Sequence, residues 1–193
     1  MMRTLAAFLI LGLLSQSFGQ TTATSSGASQ QRLQQEMAGA ASQFLGMLSV
    51  GQRQQATFAF DDAERFVWYF VPHERKGLPL KQMTPFQQLA ALRLLKTGLS
   101  QRGYTKATGI MDLENVLRVI ENRPPNDTYR DPENYYVAIF GDPASSQPWG
   151  WRFEGHHLAT QFVVLTDANG KERVLAQTPT FFGSNPGVLR YDF

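Results

Sequence analysis

Apolar positions along the chain change period several times, and each change predicts an element. From Leu33 they fall at Leu33, Met37, Ala40, Ala41, Phe44 and Leu48, the spacing of one helical face, and Gly51 follows where a glycine cap ends a helix. "ATFAF" (56–60) and "RFVWYFV" (65–71), dense in aromatic and β-branched residues and separated by Asp61-Asp62-Ala63-Glu64, predict two strands of a hairpin. After the loop "PHERKGLPL", Thr84-Pro85-Phe86-Gln87 combines an N-cap threonine, a first-turn proline and a capping-box glutamine. It predicts a helix to about Gln101, ended by Gly103. Ile110, Leu113, Val116, Leu117 and Ile120 form the stripe of a further helix, stopped by Pro124-Pro125. "YYVAIFG" then reads as a buried strand, and 149–165 as one long strand that "DANGK" turns into a partner at Arg173–Gln177.

These elements predict an α+β fold: an antiparallel sheet with a helical hairpin packed on one face, in a single domain over residues 32–193. Ahead of it, Met1-Met2-Arg3, the apolar run Leu5–Leu14 and the small residues Ser17 and Gly19 have the form of a signal peptide, residues 1–19. An apolar run of about ten residues is too short to span a bilayer at 1.5 Å per residue. The expected product is therefore exported, periplasmic or secreted, with no stable membrane anchor once the signal is cleaved. Residues 20–31, rich in Ser, Thr, Gln, Gly and Ala, read as a disordered linker.

Composition narrows the function by exclusion. A net charge of +2 gives no electrostatic case for nucleic acid. The absence of cysteine excludes thiol catalysis, Cys-ligated zinc, iron–sulfur clusters and covalent haem. His73-Glu74-Arg75-Lys76-Gly77 starts like a zinc-protease motif, but Gly77 stands where the second histidine is needed. No Gly-x-Ser-x-Gly elbow, Ser-x-x-Lys pair or phosphate-binding glycine loop occurs.

What remains is "GWRFEGHHLAT" (150–160), which holds two of the three histidines. On a regular strand Arg152, Glu154 and His156 share a face, and a bulge at Gly155 would bring His157 to the same side. Three readings stay open. In the first, His156, His157, His73 and Glu154 bind a divalent metal as cofactor. In the second, Glu154 and His156 form an acid/base pair acting on a small polar substrate, without metal. In the third, Glu154 pairs with Arg152 or His156 and the histidines are buried in a structural or interaction domain. A non-catalytic binder is the neighbouring alternative, with Trp149, Trp151, Arg152 and Arg75 holding an aromatic or anionic small-molecule ligand. The site readings place a cleft near the start of the 149–165 strand. "TPTFFGSNP" (178–186) reads as a turn anchored by Phe181 and Phe182.

"ERKGL", "KATGIM", "WGWRFEGHHL" and "TPTFFGSNP", in this order, resemble the bacterial family known as domain of unknown function 3500. The resemblance runs from about Phe58 to Pro186. It implies an exported bacterial protein and carries no catalytic residues. Members continue with a further helical segment where this chain stops at Val188–Phe193, so the resemblance also implies a C-terminally truncated product.

Overall fold

Two capping boxes set the helical frame. Thr84 accepts a hydrogen bond from the Gln87 backbone N–H while Gln87 Oε1 accepts from the Thr84 N–H at 2.8 Å, and helix α3 (Pro85–Thr97) starts there as the sequence predicts. Ser49 and Gln52 repeat the arrangement and start α2 (Val50–Ala56) directly after α1 (Thr21–Met47), so Gly51 lies within α2 instead of capping α1. The structure is a computed structural model and describes residues 21–166 and 172–188; the expected signal peptide and "DANGK" lie outside them. Helix α1 is helical from Thr21, through most of the stretch read as a linker, because each residue added to formed turns gains a backbone hydrogen bond.

Helix α3 ends at Gly98, earlier than expected. A Cβ on Gly98 would stand 2.4 Å from the Phe162 ring, so the missing side chain lets that ring close on the helix end. Ser100 then accepts from the Gly103 N–H at 3.1 Å and starts α4 (Gln101–Ile120), which places Gly103 inside a helix.

The sheet contains β1 (Thr57–Phe58), β2 (Leu78–Pro79), β3 (Tyr136–Phe140), β4 (Trp149–Gly155), β5 (Leu158–Thr166) and β6 (Glu172–Phe182). Its order is β1-β3-β4-β5-β6, and β2 joins β1 on the outer edge of β3. Pairing is antiparallel except between β1 and β3. Alternation along β4 divides its residues cleanly. Trp149, Trp151 and Phe153 enter the core with Phe162, Val164 and Leu158 of β5, facing Met37 and Phe44 of α1, Leu94 of α3 and Ile110 of α4. Arg152 and Glu154 point to the opposite face.

Two strand expectations fail for physical reasons. The predicted hairpin 56–60/65–71 does not form: Thr57–Phe58 pairs in parallel with β3, and Asp62 caps a 3₁₀ turn at Ala63–Phe66 by accepting from the Glu64 N–H. Residues 67–71 belong to no strand: arginine side chains take the Val67, Tyr69 and Val71 carbonyls, and the His157 backbone N–H takes that of Phe70. The 149–165 segment is not one strand but the β4–β5 hairpin, with Gly155 opposite Leu158 and the two histidines as its turn. His157 supplies the positive φ of 57° that such a turn requires, a conformation histidine tolerates better than most residues. Finally, Thr178–Phe182, read as a turn, continues β6.

Candidate functional site

Residues 64–75 form a strap across the Arg152/Glu154 face of the sheet, held by buried guanidinium groups. Arg152 donates to the carbonyls of Glu64, at 2.8 Å, and Val67, and Nη2 meets Glu64 Oε1 at 2.8 Å. Its Nε faces Glu154 Oε1 at 2.9 Å as a misaligned ion pair, not a proper hydrogen bond. Arg75 donates to the carbonyls of His73 (2.7 Å), Tyr69 (2.8 Å), Val71 (2.7 Å) and Gly155 (3.1 Å), and lies 3.7 Å from Glu154 Oε2. The Tyr69 N–H donates to the same carboxylate at 3.3 Å. Burial pushes the Glu154 carboxyl above its ordinary value, while the Arg152 and Arg75 charges pull it back. Burial likewise lowers Arg75.

Glu154, Arg152 and most of Arg75 are thus occupied in anchoring the strap. Trp149 and Trp151 are 1% and 0% exposed, so stacking on a ligand is closed to them. The metal reading fails as well: among the described residues no group of three or more His, Asp or Glu side chains is placed to hold an ion. The reason is prior engagement. Glu154 is held by two arginines, His73 packs tilted against the Tyr69 ring with centroids 4.1 Å apart, and His156 turns Nδ1 to a carboxylate absent from the sequence expectations.

That carboxylate is Glu114, buried on α4. Its Oε1 contacts His156 Nδ1, and Arg130 stands behind the pair, 3.4 Å from Nδ1 and 3.8 Å from Glu114 Oε2. Glu121 fixes Arg130 through Nη2 at 2.6 Å and Nε at 3.1 Å. The Tyr135 hydroxyl donates to the His156 carbonyl at 2.8 Å, and its ring fills the space over Gly155, where a Cβ would come within 2.3 Å. His157 does not line the cleft, although its ring stands 4.2 Å from that of His156: its N–H donates to the Phe70 carbonyl, its carbonyl accepts from the Gly183 N–H, and burial lowers its ring pKa, with the neighbouring His156 adding to the effect.

His156 and Glu114 line a cleft of about 470 Å³, within the range of small-molecule sites, together with His73 and Arg75. The cleft therefore opens at the turn end of β4, not at its start. Of the expected site residues it gathers His156, His73 and Arg75; Glu154, Arg152, His157, Trp149 and Trp151 do not line it. Glu114 gave no local signal because it stands 42 residues from His156 on an ordinary helix. On α4 it sits within the buried face, between Ile110 and Leu117, where a charged residue interrupts an apolar row.

Hydrogen bonds from Arg130 and Arg123 hold the Glu121 carboxyl down at about 2. A depressed carboxyl contributes stability above its unfolded value and loses it as pH falls through the folded one. We expect Glu121→Gln to lower the urea midpoint at neutral pH and the difference from the unaltered protein to vanish between pH ~4.5 and ~2. A difference unchanged at pH ~2 would mean that Glu121 acts by packing.

A family described as "Protein of unknown function (DUF3500)" matches residues 30–192. No curated protein and no solved structure matches the chain.

Proposed function

Because the chain belongs to the DUF3500 family, whose function is unknown, we propose a function from the cleft's own geometry: it binds a small polar molecule and moves a proton through His156, oriented by Glu114. The observation that carries this is the buried Glu114–His156 contact in the cleft wall. A carboxylate that accepts from Nδ1–H fixes the tautomer and leaves Nε2 with its lone pair, the arrangement in which imidazole serves as a general base. The Arg130 charge balances Glu114, and Glu121 holds Arg130 in place. An exported setting belongs to the same proposal and rests on the signal-peptide pattern of residues 1–19; its being bacterial rests on the family resemblance alone.

Diethyl pyrocarbonate, which acylates an accessible neutral imidazole nitrogen, tests the dyad without a known substrate. We expect His156 to be acylated, with exposed His73 as internal reference, and Glu114→Gln to slow His156 about tenfold while His73 is unaffected and the fold is retained. An inert His156 beside a reactive His73 would defeat the assignment. So would a Glu114→Gln protein whose His156 reacts at the original rate.

A further inference from the structure

Charge is unevenly distributed around the cleft that holds His156. Behind its wall two guanidinium groups, Arg123 and Arg130, face three carboxylates, Glu114, Glu121 and Asp127. Both arginines close on Glu121, at 2.5 and 2.6 Å, whereas Arg130 approaches Glu114 only to 3.8 Å, so Glu114 is the carboxylate with the least compensated charge. The lining repeats that sign. Glu74 and Asp131 stand on it, and Lys81 is the only cation there besides Arg75 among the described residues. Arg75 is already spent: it faces Glu154, its Nη atoms donate to backbone carbonyls and its Nε is sealed from solvent. An anionic ligand finds no guanidinium to grip.

Two buried side chains of the lining keep an open acceptor. Glu114 Oε2 lies beyond hydrogen-bonding distance of Arg130, and His156 Nε2 has no partner among the described residues; the two residues are 3% and 9% exposed, and neither atom is sealed off. With Nδ1–H turned to Glu114, Nε2 presents a lone pair. Burial raises the Tyr136 phenol above its ordinary value, Arg75 pulls it back, and Glu74 and Asp131 raise it again, so these two carboxylates stand near one hydroxyl.

We propose that the cleft takes an alkylammonium cation. Its N–H groups have Glu114 Oε2 and His156 Nε2 to donate to, and Glu74 and Asp131 attract its charge. This rests on the reading of the cleft as a ligand site and names the class of molecule it takes. The proton that His156 accepts is then the ammonium's own, which leaves a neutral amine and an imidazolium facing Glu114.

The test is saturation-transfer NMR on the full chain with butylamine, butanol and butyrate, probes of one shape that differ in charge. We expect butylamine to bind saturably, about tenfold or more tighter than butanol, and butyrate not to bind. Glu114→Gln should weaken butylamine about tenfold. Glu74→Gln, an exposed substitution, serves as a second variant should Glu114→Gln fail to fold, with a loss of about threefold expected. Putrescine and Nα-acetyllysine amide then tell a free diamine from a lysyl side chain as the source of the ammonium. Butanol or butyrate binding as tightly as butylamine, no butylamine binding at millimolar concentration, or butylamine binding indifferent to both variants would each overturn the proposal. The two readings fail separately. A reactive His156 with no amine bound removes the ligand class and keeps the dyad, whereas a bound amine over an inert His156 keeps the ligand class and removes proton transfer.

Discussion

Arg152→Met is expected to destabilise the protein by about 3–5 kcal/mol, the range found when one member of a buried charge network is removed. The side chain is 1% exposed, and its loss abandons four acceptors together: both carboxylates, Glu64 and Glu154, and the carbonyls of Glu64 and Val67. Methionine replaces the volume but none of the donors. The damage comes from uncompensated charge more than from lost attraction, so the combined replacement Arg152→Met, Glu154→Gln and Glu64→Gln is expected to recover part of the loss. Urea titration of both proteins decides. A single substitution costing under about 1 kcal/mol would show that water already reaches these groups and that the strap is not held as described.

Trp151→Ala should cost about as much, roughly 3–5 kcal/mol, by a different mechanism. The indole is fully buried and stacks on Phe162 with ring centroids 4.6 Å apart, and Phe162 in turn presses on the bare backbone of Gly98. Removing the indole leaves a cavity between sheet and helices that neither neighbour can fill without leaving the other. At about 2–4 °C per kcal/mol for a chain of this size, the melting temperature should drop by roughly 10 °C, as calorimetry can read. The cleft lies on other residues, so His156 acylation in the surviving folded protein should be unaltered. A Trp151→Ala protein of near-normal stability with a silenced His156 would place the indole in the site after all.

Features governed by neighbouring residues were legible in the chain before its structure. The Thr84–Gln87 capping box and strand β3 stand where local chemistry puts them, and α4 forms as a helix, but its buried face is Ala107, Ile110, Met111, Glu114 and Leu117 and leaves Ile120 exposed. The α+β class followed from their order. Errors arose where a distant partner overrode a local preference. "RFVWYFV" has the composition of a strand, but a strand needs a ladder, and here Arg152 and Arg75 took the carbonyls first. The β4–β5 turn was missed because it lacks the asparagine-glycine pair that announces a tight hairpin, and histidine does the work. In the candidate site, His156 was visible as a rare polar residue in an aromatic setting. Its partner was misassigned to Glu154, two residues away, because sequence proximity cannot reveal that α4 carries Glu114 across the turn.

The strap has one more consequence, in the order of events during folding. Phe66 to Val71 are six consecutive apolar residues that stay substantially exposed even in the finished protein, with Trp68 and Phe70 gathered around Phe181. Their anchors come late: Arg152 bonds Glu64 from 88 residues downstream, and Gly155 receives Arg75 from 80. A chain made from its N-terminus therefore displays this aromatic segment while some eighty further residues are added, with Arg75 at hand for the Tyr69 and Val71 carbonyls but no sheet yet to dock on. Contacts of such long range also form slowly. The segment's first neighbours are then other unfinished chains, and productive maturation depends on keeping nascent copies apart until the β4–β5 turn has emerged.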